Sequence, residues 1–341
     1  MRILFATKDH LPIVGGAEVT THCVATELER RGHSVTVFAR QDPRLAPLAE
    51  VDRSLGYLTL RSDSPEHALD GVLDSCAPDV VVVGGYHAET DAWARSMLEG
   101  ARQLPTLLHL HDYSAAPLAA DPGLEVDAVV AVSDFTAREV EAHGARAISI
   151  PPAVERRRYR VSSSRRVALM INPIIQKGVD LVWGLAEARP DIEFALTRCW
   201  YIAPETVDLL EVRARRLGNV VIRPAVHEPG RLYGDARVVL IPSAYPEAWG
   251  RTAAEAQVSG IPVIASNVGG LAEAAGEGGI LLDADAGLDS WLHALSNLWD
   301  DDAAYRSHAA RAEQHGLRTD LDPRAVGDRF EAVLVDVVDR L

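Results

Sequence analysis

The stretch PSAYPEAWGRTAAE, residues 242–255, decides the reading of this chain. Residues 236–241 before it are rich in Val, Leu and Ile, and the residues after Gly250-Arg251-Thr252 are Ala-rich and helical in pattern. A strand that ends in a turn and feeds a helix offers backbone N–H groups and a positive dipole end to an anion. Glu247 and Glu255 stand eight positions apart. The first falls in the loop before the helix, and the second about two turns inside it on a similar face. One carboxylate near an anion and one deeper suits a ligand with hydroxyls at both ends of a diphosphate. A nucleotide sugar has that shape.

Working outward, short apolar runs alternate with helical patterns along the whole chain. In the first half the strand candidates are 2–7, 34–39, 80–83, 106–110, 128–132 and 147–151, with helices at 18–31, 66–76, 89–103 and 135–143. In the second half they are 166–171, 193–197, 220–223, 238–242, 262–265 and 279–282. Helical patterns there cover 179–189, 204–217, 229–235, 252–259, 271–275, 288–299 and 301–315. Near-continuous Val/Ile/Leu strands joined by helices predict buried parallel sheets. The sequence therefore reads as α/β, with two Rossmann-like domains whose sheets face across a cleft. The domains expected are 1–155 and 167–315, with a polar, Arg- and Ser-rich linker at 156–166. Residues 316–341 are expected as a C-terminal element that packs back toward the first domain. Within it Val326, Phe330, Val333, Leu334 and Val337 recur at helical spacing.

Bulk properties narrow the function. The chain has 341 residues, 48% hydrophobic and 24% charged, which suits two globular domains. A net charge of -15 disfavours nucleic acid as a partner and broad adsorption to anionic membranes. Cys23, Cys76 and Cys199 are scattered, with no Cys-x-x-Cys pair, so buried thiols are expected rather than a zinc site or a disulfide framework. No apolar run reaches the length of a spanning helix, and residues 1–6 read as a strand rather than a signal peptide. No stable membrane insertion is expected, and the location expected is cytoplasmic.

Four further constellations carry candidate chemistry. Gly15-Gly16-Ala17-Glu18 follows the first strand and precedes the first helix, where glycines let a backbone approach a ligand. The dinucleotide pattern Gly-x-Gly-x-x-Gly is absent, which counts against a dehydrogenase. His111 falls where an apolar strand ends and is placed to donate to a phosphate or sugar hydroxyl. His109 shares its face and reads as a hydrogen-bonded core histidine; with Asp112 the pair lacks a further spaced ligand, so no metal site is expected. Lys177, at the end of Asn172-Pro173-Ile174-Ile175-Gln176-Lys177-Gly178, stands at a helix start and can neutralise a diphosphate. Ser266-Asn267-Val268-Gly269-Gly270 reads as a second anion-binding nest beside the Glu247 loop.

In order and context these pieces resemble the retaining glycosyltransferases of the GT-B fold, family 4. The match rests on Glu247 and Glu255 as a Glu-x7-Glu signature, the following Gly260-Ile261-Pro262-Val263 strand, and Gly269-Gly270. Gly15-Gly16, His111 and Lys177-Gly178 match in the expected order. The resemblance implies a hexosyl- or N-acetylhexosaminyl-transferase that moves a sugar from a nucleoside diphosphate, UDP- or GDP-linked, to an unidentified acceptor hydroxyl. No metal or other cofactor is implied. It implies His111, Lys177 and Glu247 as the catalytic set. It further implies donor contacts from Gly15, Gly16, Asn172, Arg198, Val226, Ala248, Trp249, Gly250, Arg251, Thr252 and Glu255. Glu255 would take the ribose and Glu247 the donor sugar. The segment around Val226 and His227 would border the base. Acceptor contacts are expected from the loops 41–54 and 113–125. Members of the family commonly carry an arginine five or six residues before this lysine; here those positions are Asn172 and Ile171. Arg198 and Arg251 are the candidates to replace it. The rival readings are a nucleotide-sugar epimerase of the same fold and a catalytically silent sugar-nucleotide-binding protein.

Overall fold

A computed structural model describes residues 1–41, 48–87, 91–226 and 228–340. The chain forms two compact units: Met1–Ala153 together with Asp320–Leu341, and Val154–Thr319.

The first unit holds an eight-stranded sheet. Its strands are β1 (Arg2–Thr7), β2 (Ser34–Arg40), β3 (Val51–Asp52), β4 (Leu58–Ser62), β5 (Val80–Gly85), β6 (Thr106–Leu110), β7 (Ala128–Ala131) and β8 (Ile148–Ser149), in the order β3-β4-β2-β1-β5-β6-β7-β8. All neighbours are parallel except β3, which runs antiparallel to β4. Alternation along each strand splits the core into two layers. Ile3, Phe5, Val35, Val37, Val80 and Val82 pack on one face, and Leu4, Ala6, Phe38, Val81 and Val83 on the other. The helix Pro323–Asp339 covers the first of these faces. Val326, Phe330, Val333, Leu334 and Val337, the apolar stripe of that helix, are all buried there.

The second unit holds a six-stranded, wholly parallel sheet. Its strands are β9 (Val167–Ile171), β10 (Glu193–Thr197), β11 (Val220–Arg223), β12 (Ala236–Ile241), β13 (Val263–Ser266) and β14 (Gly279–Leu282), in the order β11-β10-β9-β12-β13-β14. Chain order reverses between β9 and β12. In open α/β sheets such a switch point opens a crevice at the carboxyl ends of the strands. The loops after β9 and β12 are those carrying Lys177 and Glu247.

Two readings change. Within the segment expected as a linker, 156–166, Arg156–Tyr159 is a helical turn that belongs to the second unit. Tyr159 is buried edge-on against Tyr233, Arg156 donates to the Leu317 carbonyl at 2.5 Å, and the Val161 N–H donates to Ser259 Oγ at 2.9 Å. An arginine-rich run looks solvated in sequence, yet here its carbonyl and aromatic contacts fix it. Strands β3 and β4 are the second change, since neither was expected. The buried Arg61 guanidinium in β4 reaches the Leu11 carbonyl at 2.8 Å and Asp52 at 3.5 Å. A charged residue at a core position hides the alternation of a strand.

Candidate functional site

Two loops meet at the switch point of the second unit, and glycine makes the meeting possible. Gly178 has a φ of +78°, and a Cβ there would lie 1.8 Å from the Pro242 carbonyl oxygen. The Ala244 N–H donates to the Gln176 carbonyl at 3.0 Å, closing the loops on each other. Lys177 Nζ is thereby set 2.7 Å from Glu247 Oε2, with both side chains almost covered. The Ser243 hydroxyl donates to the other carboxylate oxygen of Glu247. The ammonium also lies 5.1 Å from the Trp200 ring centre and 5.5 Å from that of Tyr245. Burial pulls the lysine pKa down, but the Glu247 carboxylate and Tyr245 outweigh it and hold it above the ordinary lysine range. Lys177 therefore stays a cation.

The Glu247 loop is tied from its other side as well. The Gly270 N–H donates to the Glu247 carbonyl at 2.7 Å, and Gly269 and Glu247 form a parallel bridge. Gly269, with φ +56°, has no room for a Cβ, which would stand 2.4 Å from that carbonyl. The Gly269-Gly270 turn is therefore a clamp on the Glu247 backbone rather than a second anion nest. Its Gly270 N–H is already committed.

Glu255 lies in the helix Arg251–Gln257 and is buried. Tyr233 Oη donates to its Oε2 at 2.8 Å and Arg251 Nε to its Oε1 at 3.1 Å. Burial and the Glu255 charge keep the Tyr233 phenol protonated, so it remains a donor. Arg251 is thus engaged with Glu255 through its Nε. Trp249 is buried, with Arg318 over its ring at 6.0 Å, so its side chain belongs to the core. Ala248 and Thr252 are partly buried beside it. Gly250 has φ +134°, and a Cβ would meet Leu271 Cδ1 at 2.6 Å.

Asn172 is buried and adopts a left-handed φ of +57°. Its Oδ1 accepts from the N–H groups of Cys199 at 2.8 Å and Trp200 at 2.9 Å. The side chain holds the loop after β10. Arg198 begins that loop and is partly buried, and its Nε is sealed from solvent without a hydrogen-bond partner among the described residues. Val226 is 39% exposed at the end of the segment after β11. His227 lies outside the described residues.

In the first unit, Gly15 caps the helix Gly16–Arg30 and Gly16 is exposed. A Cβ on Gly15 would fall 2.3 Å from Glu18 Oε2, so the Glu18 carboxylate rests against this turn. Burial pushes Glu18 up to about 7, against its own backbone N–H and with help from Asp9. The Gly-Gly turn therefore already hosts an acid of the chain itself. His111 is partly buried, with its N–H donating to the Gly85 carbonyl at 2.7 Å. Its ring stacks on Tyr86 at 5.4 Å and meets the His109 ring at 4.1 Å. Burial, then the neighbouring His109, hold its pKa well below the ordinary histidine range, so it is a neutral imidazole. His109 is buried against Phe330 at 5.2 Å, and its Nδ1 has no partner among the described residues. Aromatic packing, rather than the expected hydrogen bonding, holds that ring.

Comparison with known proteins bears on the family and the fold. The family model Glycosyltransferase Family 4 matches residues 14–158, and the model Glycosyl transferases group 1 matches residues 167–301. The chain belongs to the family 4 glycosyltransferases. Among curated relatives of this family 4 chain, D-inositol 3-phosphate glycosyltransferase of Paenarthrobacter aurescens is 38% identical over 124 residues, 34% of this chain and 30% of the relative. The Rhodococcus opacus protein of that name is 37% identical over 134 residues, 39% of this chain and 27% of the relative. The matched stretch thus spans about 30% of these relatives' own length. Solved structures cover far more. Anabaena HepE in complex with UDP and glucose aligns over 98% of this chain and 99% of its own, with TM-score 0.79 and 18% identity. Sucrose-phosphate synthase from Thermosynechococcus elongatus aligns over 100% of both chains, with TM-score 0.82 and 15% identity. These likenesses give the fold, GT-B. Among the described residues no helix is long and apolar enough to cross a membrane.

Sequence reasoning missed the residues that hold Glu247, Glu255 and Lys177 in place. Ser243 on Glu247 has a legible signal, a hydroxyl just past the end of β12. Tyr233 on Glu255 and Trp200 over Lys177 have none, because each reaches its partner from another element more than twenty residues away.

Proposed function

We propose that this family 4 chain transfers a sugar from a nucleoside diphosphate sugar, UDP- or GDP-linked, to an acceptor hydroxyl, with retention at the anomeric carbon and no metal requirement. The observation that carries the reading is the Lys177–Glu247 pair at the switch point of the second unit. The difficulty of such a transfer is the charge that builds on the departing diphosphate while the sugar carbon turns cationic. A fixed ammonium meets the first need, and preorganised charge in a covered site is worth more than in water. Glu247, one contact away, is suited to the donor sugar's hydroxyls. Glu255, still able to accept beyond Tyr233 and Arg251, is suited to the ribose. In the first unit, neutral His111 is suited to donate to a sugar or phosphate oxygen. The C–O bond to the acceptor forms as the C–O bond to phosphate breaks on the same face. The acceptor proton goes to the leaving phosphate oxygen. Anabaena HepE has been solved with UDP and with UDP-glucose, which supports this class of donor.

The test is a thermal-shift screen of UDP-, GDP-, ADP- and dTDP-sugars, followed by NMR of the product from the best donor. A stabilising donor whose anomeric configuration is kept in the product is the expected result. An epimerised donor formed without acceptor contradicts it, as does a product of inverted configuration.

A further inference from the structure

We infer that Arg198 is the second cation of the diphosphate site, carried on the strand next to the one whose loop carries Lys177. The inference rests on the donor reading above and deepens it.

The register of β9 and β10 pairs Ile171 with Thr197, and the Asn172 N–H donates to the Thr197 carbonyl at 2.8 Å. Arg198 therefore stands abreast of Asn172, one inter-strand spacing away, about 4.8 Å. An arginine side chain easily spans that step. The loop that starts with Arg198 is fixed rather than loose. Asn172 Oδ1 takes the amides of the two residues after it, and Trp200 then lies over the Lys177 ammonium. The Arg198 loop and the Lys177 loop are thus one packed assembly at the switch point.

Arg198 is also a buried-Nε cation with no carboxylate partner among the described residues. Nearby arginines of this unit have carboxylates: Arg251 has Glu255 at 3.1 Å, Arg223 has Asp235 at 2.9 Å and Arg213 has Asp180 at 3.4 Å. Arg198 makes no salt bridge among the described residues, and its buried Nε has no hydrogen-bond partner. A guanidinium presents five donors in a rigid fork that matches phosphate. Leaving one buried donor unpaired costs free energy that a bound anion recovers. Arg251, the other candidate, already has a carboxylate in Glu255.

The experiment is titration calorimetry with UDP, UMP, GDP and GMP on the wild type, Arg198→Ala and Arg198→Lys. The wild type is expected to bind one diphosphate more tightly than its monophosphate. Arg198→Ala should weaken that diphosphate by about 10- to 100-fold, the range of a charged hydrogen bond, with the monophosphate changed far less. Arg198→Lys, which keeps the charge but loses the fork, should fall between. Equal diphosphate affinity in all three proteins overturns the role of Arg198 and leaves the donor reading standing. Failure of the wild type to bind either diphosphate overturns the donor reading itself. Should Arg198→Ala not fold, Arg198→Lys decides: wild-type affinity and wild-type diphosphate preference would sink the inference.

Discussion

Replacing Glu247 by Gln should make the free nucleoside diphosphate bind more tightly while sugar transfer slows. In the structure Lys177 Nζ sits 2.7 Å from Glu247 Oε2, with side chains only 14% and 13% exposed. A diphosphate arriving at Lys177 must share that ammonium with Glu247 and tolerate its charge. Two unit charges about 6 Å apart at an effective dielectric near 20 repel by roughly 3 kcal/mol. Part of that is recovered when the carboxylate becomes an amide. A net gain of about 1.4 kcal/mol corresponds to about tenfold tighter binding. Transfer should respond in the opposite direction. If Glu247 accepts a hydrogen bond from a donor sugar hydroxyl, losing its charge costs roughly 1.5–3 kcal/mol, or about 10- to 100-fold in turnover. The shape of the site should survive if the amide oxygen faces Lys177 and the NH2 donates to Ser243 Oγ, which can accept as well as donate. The assay is calorimetry with UDP and GDP beside steady-state transfer on the same preparation. Weaker diphosphate binding in Glu247→Gln refutes the competition argument, and unchanged turnover refutes the role at the sugar.

Other predictions bear on how the site is built. Gly178→Ala should cost at least about 100-fold in turnover, since its Cβ would stand 1.8 Å from the Pro242 carbonyl and push the Lys177 loop off Glu247; wild-type kinetics would contradict the loop closure. Phe330→Ala, at a fully buried ring packed on Phe5 and His109, should lower stability by about 3–5 kcal/mol in a denaturant titration. Glu18 carries a folded pKa raised from 4.5 to about 7, so the native state holds its proton more firmly than the unfolded chain. Its contribution is complete below pH 4.5 and is lost as pH rises through 7, up to about 3 kcal/mol. Glu18→Gln should flatten that part of the stability–pH curve. An identical slope in both proteins would show that Glu18 titrates normally.

Much of the fold was legible because the strands are apolar runs bounded by turn residues. The run Val80–Gly85, buried on both faces, admits no other reading, and Glu193–Thr197 and Val220–Arg223 end where their apolar residues end. The short β3–β4 pair was not legible, because Arg61 is buried through long-range partners that sequence cannot supply. At the site, Lys177 and Glu247 were legible as loop residues after strands. Their pairing was not, since it depends on which strands are neighbours. The Gly269-Gly270 turn shows the limit most sharply. A Gly-Gly step after a strand serves equally for an anion nest or a backbone clamp, and only the Glu247 carbonyl 2.7 Å from the Gly270 N–H decides between them. Trp249 was read as a ligand contact because of where it falls in the signature, yet the side chain turns into the core.

The proposed transfer requires the second unit to grip a nucleoside diphosphate at the carboxyl ends of β9 and β12. A crystal structure with the donor found by the thermal-shift screen tests this most directly. The diphosphate is expected within hydrogen-bond distance of Lys177 Nζ, with the ribose at Glu255 and the sugar at Glu247. A donor bound away from those three side chains would contradict the account.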